Sequence, residues 1–358
     1  MYRGLMIMAV AAIGLTGLTQ PAAALDDTAY ASLNRTAVER HILPRYEQMQ
    51  AAMADLGRTT AAYCSAPGTG KIEDVRAAYH AAVDAWQSIQ HVRFGPVDLF
   101  FRSQRIAFWP DPRNTIGRQM AEILSKQDAD AVAADSLGRG SVAIQGLPAL
   151  ERLIFGSDAG KLSSGPDAAF RCRYASAITM NLAAMAKDTL AEWQGGFARQ
   201  MQDAGSGNAR YPAAKDATLD LFKSLYTAVE LVADHKLARP LGASADQARP
   251  RLSEAWRSER SLRNVLLNLE AARDMYVTAF SPAVPDKAVD VAIRAEFAAA
   301  LDAAKAIGKP LEEAVANRSE RGRVETLAGK AAALKTLLVQ RLPAVLDIPV
   351  GFNALDGD

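Results

Sequence analysis

Long apolar runs are missing from all but the start of this 358-residue chain. After the first two dozen residues no segment offers the ~20 consecutive apolar residues that a bilayer span requires. An excess of one charge is missing as well: 41 Lys+Arg stand against 40 Asp+Glu, so no basic field exists to drive nucleic-acid binding. Histidine is scarce. The four present, His41, His80, His91 and His235, form neither H-E-x-x-H nor any other tight metal spacing. No G-x-S-x-G elbow, Walker A loop or dinucleotide glycine motif occurs, which removes the common nucleophile and nucleotide signatures. Sustained β-branched alternation is absent, which argues against a sheet.

What the chain does have is an N-terminal export pattern. "MYRGLMIMAVAAIGLTGLTQPAAALDD" carries one early base, Arg3, an apolar run from Leu5 to about Leu18, then Pro21 and Ala22-Ala23-Ala24. This reads as a signal peptide, residues 1–24, cut after Ala24. An uncleaved anchor is the alternative. No Cys stands at the cut, so the expectation is a periplasmic protein, not a lipoprotein. Removing Arg3 leaves 40 bases against 40 acids. In an oxidising compartment the two cysteines, Cys64 and Cys172, are expected to form a disulfide. Two separate buried thiols are the alternative. A bridge would close a loop of about 108 residues and contribute roughly 4–5 kcal/mol in the chain-entropy model.

Downstream, Ala/Leu-rich segments predict helices over 28–56, 71–92, 115–134, 147–156, 167–202, 211–238, 246–279, 286–307 and 311–342. Gly/Pro/Ser/Asp clusters punctuate them. In 211–238, Leu219, Phe222, Tyr226, Val229 and Val232 follow 3/4 spacing and mark a core face. Pro44 predicts a kink in the first helix. The expected fold is all-α, two antiparallel helical-bundle domains, with the Gly-rich loop 203–212 dividing 25–205 from 206–358.

Three stretches point to a site. In "QGLPALERLIFG" (145–156) a helical wheel sets Glu151 inside an arc of Leu147, Leu150, Ile154 and Phe155. A carboxylate there must be protonated, paired with a base, hydrogen-bonded to backbone amides or bound to a metal. "FRSQRIAFWPDPRN" (101–114) gathers Arg102, Arg105, Trp109, Asp111 and Arg113 on a rigid turn. Arg105 or Arg102 is the candidate partner for Glu151, and the turn reads either as a ligand-binding rim or as a Trp-anchored turn with solvated arginines. His80 and Asp84 share a helix face at i,i+4, as an oriented base, a metal edge or a packing pair. The C-terminal "GFNALDGD", with Asp356 and Asp358, reads as a solvated tail, a docked tail or a hard-cation chelator.

Together "HILPRYEQM" (41–49), "RIAFWPDPRNTIGRQM" (105–120), "RCRYASAI" (171–178), "FKSLYTAVELVADHKLARPLG" (222–242) and "GFNALDGD" (351–358) resemble the imelysin-like, or M75 peptidase, family over nearly the whole mature chain. The resemblance implies an iron-regulated periplasmic protein and a G-x-H-x-x-E motif with a metal role. Here that motif reads Gly146-Leu147-Pro148-Ala149-Leu150-Glu151: Gly and Glu match, and the histidine is Pro148. Proline cannot ligate a metal and suits the first helical turn. The resemblance therefore implies ligand-binding residues Glu151, Arg105, Trp109, Asp111 and Gly146, with Glu151 the remaining candidate metal ligand for iron or another divalent metal, and no catalytic residue. Three readings follow: a non-enzymatic binding component of iron acquisition with its ligand in a cleft between the two domains, an M75-type metallopeptidase, or a structural or partner-binding envelope protein. The missing histidine weighs against the peptidase.

Overall fold

The computed structural model describes residues 25–65, 70–205 and 207–349. The export segment and the tail "GFNALDGD" lie outside the described residues. Among these residues there are helices and turns and no strand, and the all-α expectation holds. Ten helices have nine residues or more: α1 (Asp27–Ala37), α2 (Leu43–Ser65), α3 (Ile72–Gln87), α4 (Thr115–Lys126), α5 (Leu147–Phe155), α6 (Ala168–Glu192), α7 (Ala214–Glu230), α8 (Ser261–Met275), α9 (Lys287–Lys305) and α10 (Arg321–Val345).

The first rod begins where Asp26 accepts the Ala29 N–H at 2.8 Å, as an N-cap does. The kink expected at Pro44 takes the form of a π turn over Val38–Ile42 that joins α1 to α2. Pro44 has no N–H to give the preceding turn, and the wider register absorbs the missing bond. The bend lets one rod serve two packing groups. α2 lies along α3 and α6, whereas α1 lies on α7. A second group forms where α9 packs along α10 and against α8. Phe222, Val229 and Val232 are buried, as their spacing predicts, while Leu219 and Tyr226 are partly buried against the same core. Buried residues from both halves of the chain form one continuous cluster.

Cys64 at the end of α2 and Cys172 in α6 form the expected disulfide, with Cα atoms 5.3 Å apart. Several predicted helices are shorter than their composition suggested. The 115–134 segment ends as a helix at Lys126, where Gln127 turns left-handed (φ 50°). The 311–342 segment is split by a turn in which the Asn317 side chain accepts the Ser319 N–H at 2.9 Å. The largest correction is 246–279. Only α8 is regular helix there, and 245–258 is a series of 3₁₀ turns. Pro250 interrupts the pattern, and Ala255 and Glu259 adopt positive φ of 52° and 57°. The Ser258 backbone N–H bonds across the molecule to Glu151, which it could not do inside a helix.

Candidate functional site

A cleft of about 810 Å³ opens where that irregular segment faces α3, the N-terminal part of α5 and the turn 107–116. α5 starts after Gly146, whose φ of 85° is left-handed. A Cβ there would stand 2.5 Å from the Ile106 carbonyl oxygen and closer still to that of Arg105. The motif glycine thus lets the 105–106 backbone pass directly over the helix start. Pro148 occupies the first turn of α5, where no N–H is needed.

Glu151 is 4% exposed and lines the cleft. Its partner is neither arginine proposed from the sequence. Oε1 accepts the Ser258 backbone N–H at 3.0 Å and the Ser258 hydroxyl at 2.7 Å. Burial raises its pKa above the ordinary carboxylate value; the two Ser258 bonds and nearby Arg257 pull it back. Arg102 instead forms a bidentate pair with Glu192 at 2.6 and 2.7 Å. Arg105 donates to Gln145 at 3.1 Å and to Asn181 at 3.0 Å. Both guanidiniums are engaged by these acceptors and make no hydrogen bond to Glu151 among the described residues.

Of the five residues named as ligand-binding, the structure brings Trp109, Asp111 and Glu151 to the cleft wall; Arg105 and Gly146 shape the wall from behind. Asp111 is also a helix cap: its two oxygens accept the Thr115 and Ile116 N–H groups at 2.8 and 2.9 Å. The peptide bond Trp109–Pro110 is cis.

The cleft floor is a buried polar network that sequence reading missed. Lys236, 1% exposed, donates to Glu254 Oε2 at 2.6 Å and to Gln87 Oε1 at 2.7 Å. Gln87 and Asn264 donate to Glu254 at 3.1 and 2.7 Å, and Asn268 donates to the Gln87 carbonyl at 2.7 Å. Burial lowers the Lys236 pKa, and Glu254 opposes the shift. The Lys236 ammonium also lies 5.8 Å from the centre of the Trp109 ring.

Four arginines that the sequence reading passed over line the same cleft: Arg152, Arg239, Arg251 and Arg257. Arg251 and Arg257 lie over the Trp256 ring, their guanidinium carbons 5.5 and 4.2 Å from its centre. Arg152 donates to Asn114 at 2.7 Å. A Trp set among alternating arginines in "RPRLSEAWRSER" was the available signal, hidden by reading 246–279 as one helix.

The histidines make no metal site. His80 meets Arg260 at 3.0 Å, and Asp84 pairs with Arg260 and Arg263. Burial holds His80 at about 4, so it is neutral at pH 7. His41 and His91, 50 positions apart, meet in the core with Nε2 atoms 2.9 Å apart. Among the described residues no three His, Cys, Asp or Glu side chains stand together as a metal-binding group. The donors at Glu151 do not fit a protein-ligated iron ion: residue 148 is proline, and Oε1 is occupied by Ser258.

Comparison with known proteins places this geometry in context. The imelysin (peptidase M75) family model matches residues 42–340. A protein named iron-regulated protein A from Synechococcus elongatus (strain ATCC 33912 / PCC 7942 / FACHB-805) is 24% identical over 327 residues, covering 86% of this chain and 85% of that one. The crystal structure of an imelysin-like protein from Psychrobacter arcticum 273-4 matches 92% of this chain and 98% of that chain with a TM-score of 0.77 at 18% identity. A second solved structure, from Parabacteroides distasonis ATCC 8503, gives a TM-score of 0.76 at 17% identity, over 91% of this chain and 96% of that one.

Proposed function

The chain belongs to the imelysin family, and on that premise we propose that it is an exported, periplasmic, non-enzymatic binding protein of iron acquisition. Its ligand sits in the cleft beside Glu151, Trp109 and Asp111, between helical units 25–205 and 206–358. The observation that carries the reading is the cleft itself: about 810 Å³, opening on the motif helix α5 and walled by residues from both halves of the chain. That volume suits a small-molecule ligand. The name of the cyanobacterial relative supports the link to iron. Iron enters here as cargo, not as a resident cofactor, because the donor set at Glu151 does not fit a ligated ion.

The peptidase alternative requires ligands for a water-activating metal. Pro148 and the Ser258 bonds to Glu151 weigh against it. The experiment is calorimetry and elemental analysis on the mature chain, with free and chelated iron and with zinc. An iron-bearing ligand should bind, and Trp109→Ala and Glu151→Gln should weaken it while the far-UV circular dichroism is unchanged. Failure of every iron form to bind overturns the reading. Peptide hydrolysis abolished by a chelator would establish the alternative. Export is checked by the mass of protein recovered from the periplasm, which should begin at Leu25.

A further inference from the structure

We infer that the cleft takes a multiply charged oxyanion, a small polycarboxylate or phosphate compound, held by the guanidiniums of Arg152, Arg251 and Arg257. The inference rests on the proposed binding role of this cleft and names the ligand's chemistry. Among the described residues none of these three side chains is in an ion pair; their contacts are the Asn114 amide and the Trp256 ring. Trp256 holds two of them on one indole, which brings two positive forks together where like charges would otherwise separate. Burial lowers the Arg257 pKa first; Arg152 and Arg251 push it down further, while Glu151 opposes them. Such a cluster is stable when an anion arrives, and guanidinium forks match carboxylate and phosphate oxygens two by two.

Asp111 and Glu151 attract Arg152, and Glu151 attracts Arg257, but among the described residues neither acid forms an ion pair with the cluster. Asp111 is committed to the start of α4, Glu254 to Lys236 and Asn264, and Glu151 to Ser258. Only the exposed Glu259 is uncommitted among the lining acids. Among the described residues a bare cation finds four repelling arginines and no group of donors, whereas an anion finds unpaired N–H groups and the Trp109 and Trp256 rings as walls.

The test is isothermal titration of the purified mature chain with citrate and with pyrophosphate, alongside quenching of Trp256 fluorescence. Expected is one-to-one binding of at least one anion, weakened about tenfold in each of Arg152→Gln, Arg251→Gln and Arg257→Gln, the loss of one charge-assisted contact. Raising the salt concentration should weaken it further. Citrate alone binding assigns a polycarboxylate, and pyrophosphate alone assigns a phosphate compound. Arg251 is exposed, so R251Q keeps the test open if a more buried variant fails to fold. No binding of either anion at millimolar concentration, or binding unchanged in all three variants, overturns the inference. Iron binding in the cleft that survives all three substitutions would refute the anion site and leave the proposed function standing. Anion binding through the arginines that is indifferent to iron would do the reverse.

Discussion

Gly146→Ala should unsettle this fold more than its single added methyl suggests. Residue 146 has φ 85° and ψ −178°, a backbone state that costs an L-residue about 1–3 kcal/mol. The new Cβ would meet the carbonyl oxygens of Arg105 and Ile106, the latter at 2.5 Å. Both are backbone atoms, and Arg105 is pinned by Gln145 and Asn181. No rotamer change relieves the contact, so overpacking adds about 1–3 kcal/mol. The total is about 2–6 kcal/mol, or a melting point lower by about 4–12 °C at roughly 2 °C per kcal/mol for a chain of this size. Relief by backbone movement would tilt α5 and stretch the Glu151–Ser258 bonds, so ligand affinity should fall with stability. The assay is a thermal melt beside Gly329→Ala, a substitution inside α10 with nothing within 4 Å of the new Cβ. That control should gain about 0.5–1 kcal/mol. G146A melting within 1 °C of wild type would refute the steric account of the motif glycine.

Acid should weaken the core through His41 and His91. Burial, the dominant cause, lowers both, with Arg45 adding repulsion at each; His91 falls to about 3. The unfolded chain therefore binds protons that the native one refuses, and stability should drop as pH falls from the ordinary histidine value of 6.5 toward 3. Urea melts at pH 7.5 and 4.5 should show the loss, and H91Q should shrink it; a flat profile for the wild type would sink the claim. Lys236→Met should cost about 3–5 kcal/mol by stranding buried Glu254, and K236M/E254Q should recover part of it; equal melting of single and double variants would show that the charges are not coupled. Reducing Cys64–Cys172, which closes a loop of 108 residues, should cost about 4–5 kcal/mol in the chain-entropy model, visible as a lower denaturation midpoint in dithiothreitol.

Much of the architecture is written in local sequence. Helical spacing in 211–238, the proline-started helix at 147 and the punctuation between segments follow from backbone sterics and hydrophobic periodicity, which act over a few residues. The bridge between Cys64 and Cys172 is the pairing expected of two cysteines if the chain is exported to an oxidising compartment, as proposed. Glu151 is legible as a misplaced acid because one helical wheel suffices to see it. Its partner is not legible, since Ser258 lies 107 positions away and reaches it only because residues 245–258 abandon the helix their composition favours. The same holds for His41 with His91, for Lys236 with Gln87, and for the arginines gathered on Trp256. Each depends on which surfaces the packed helices bring face to face. Buried polar groups take partners wherever folding delivers them, so the sequence marks the group that needs one and the tertiary structure alone chooses which it is.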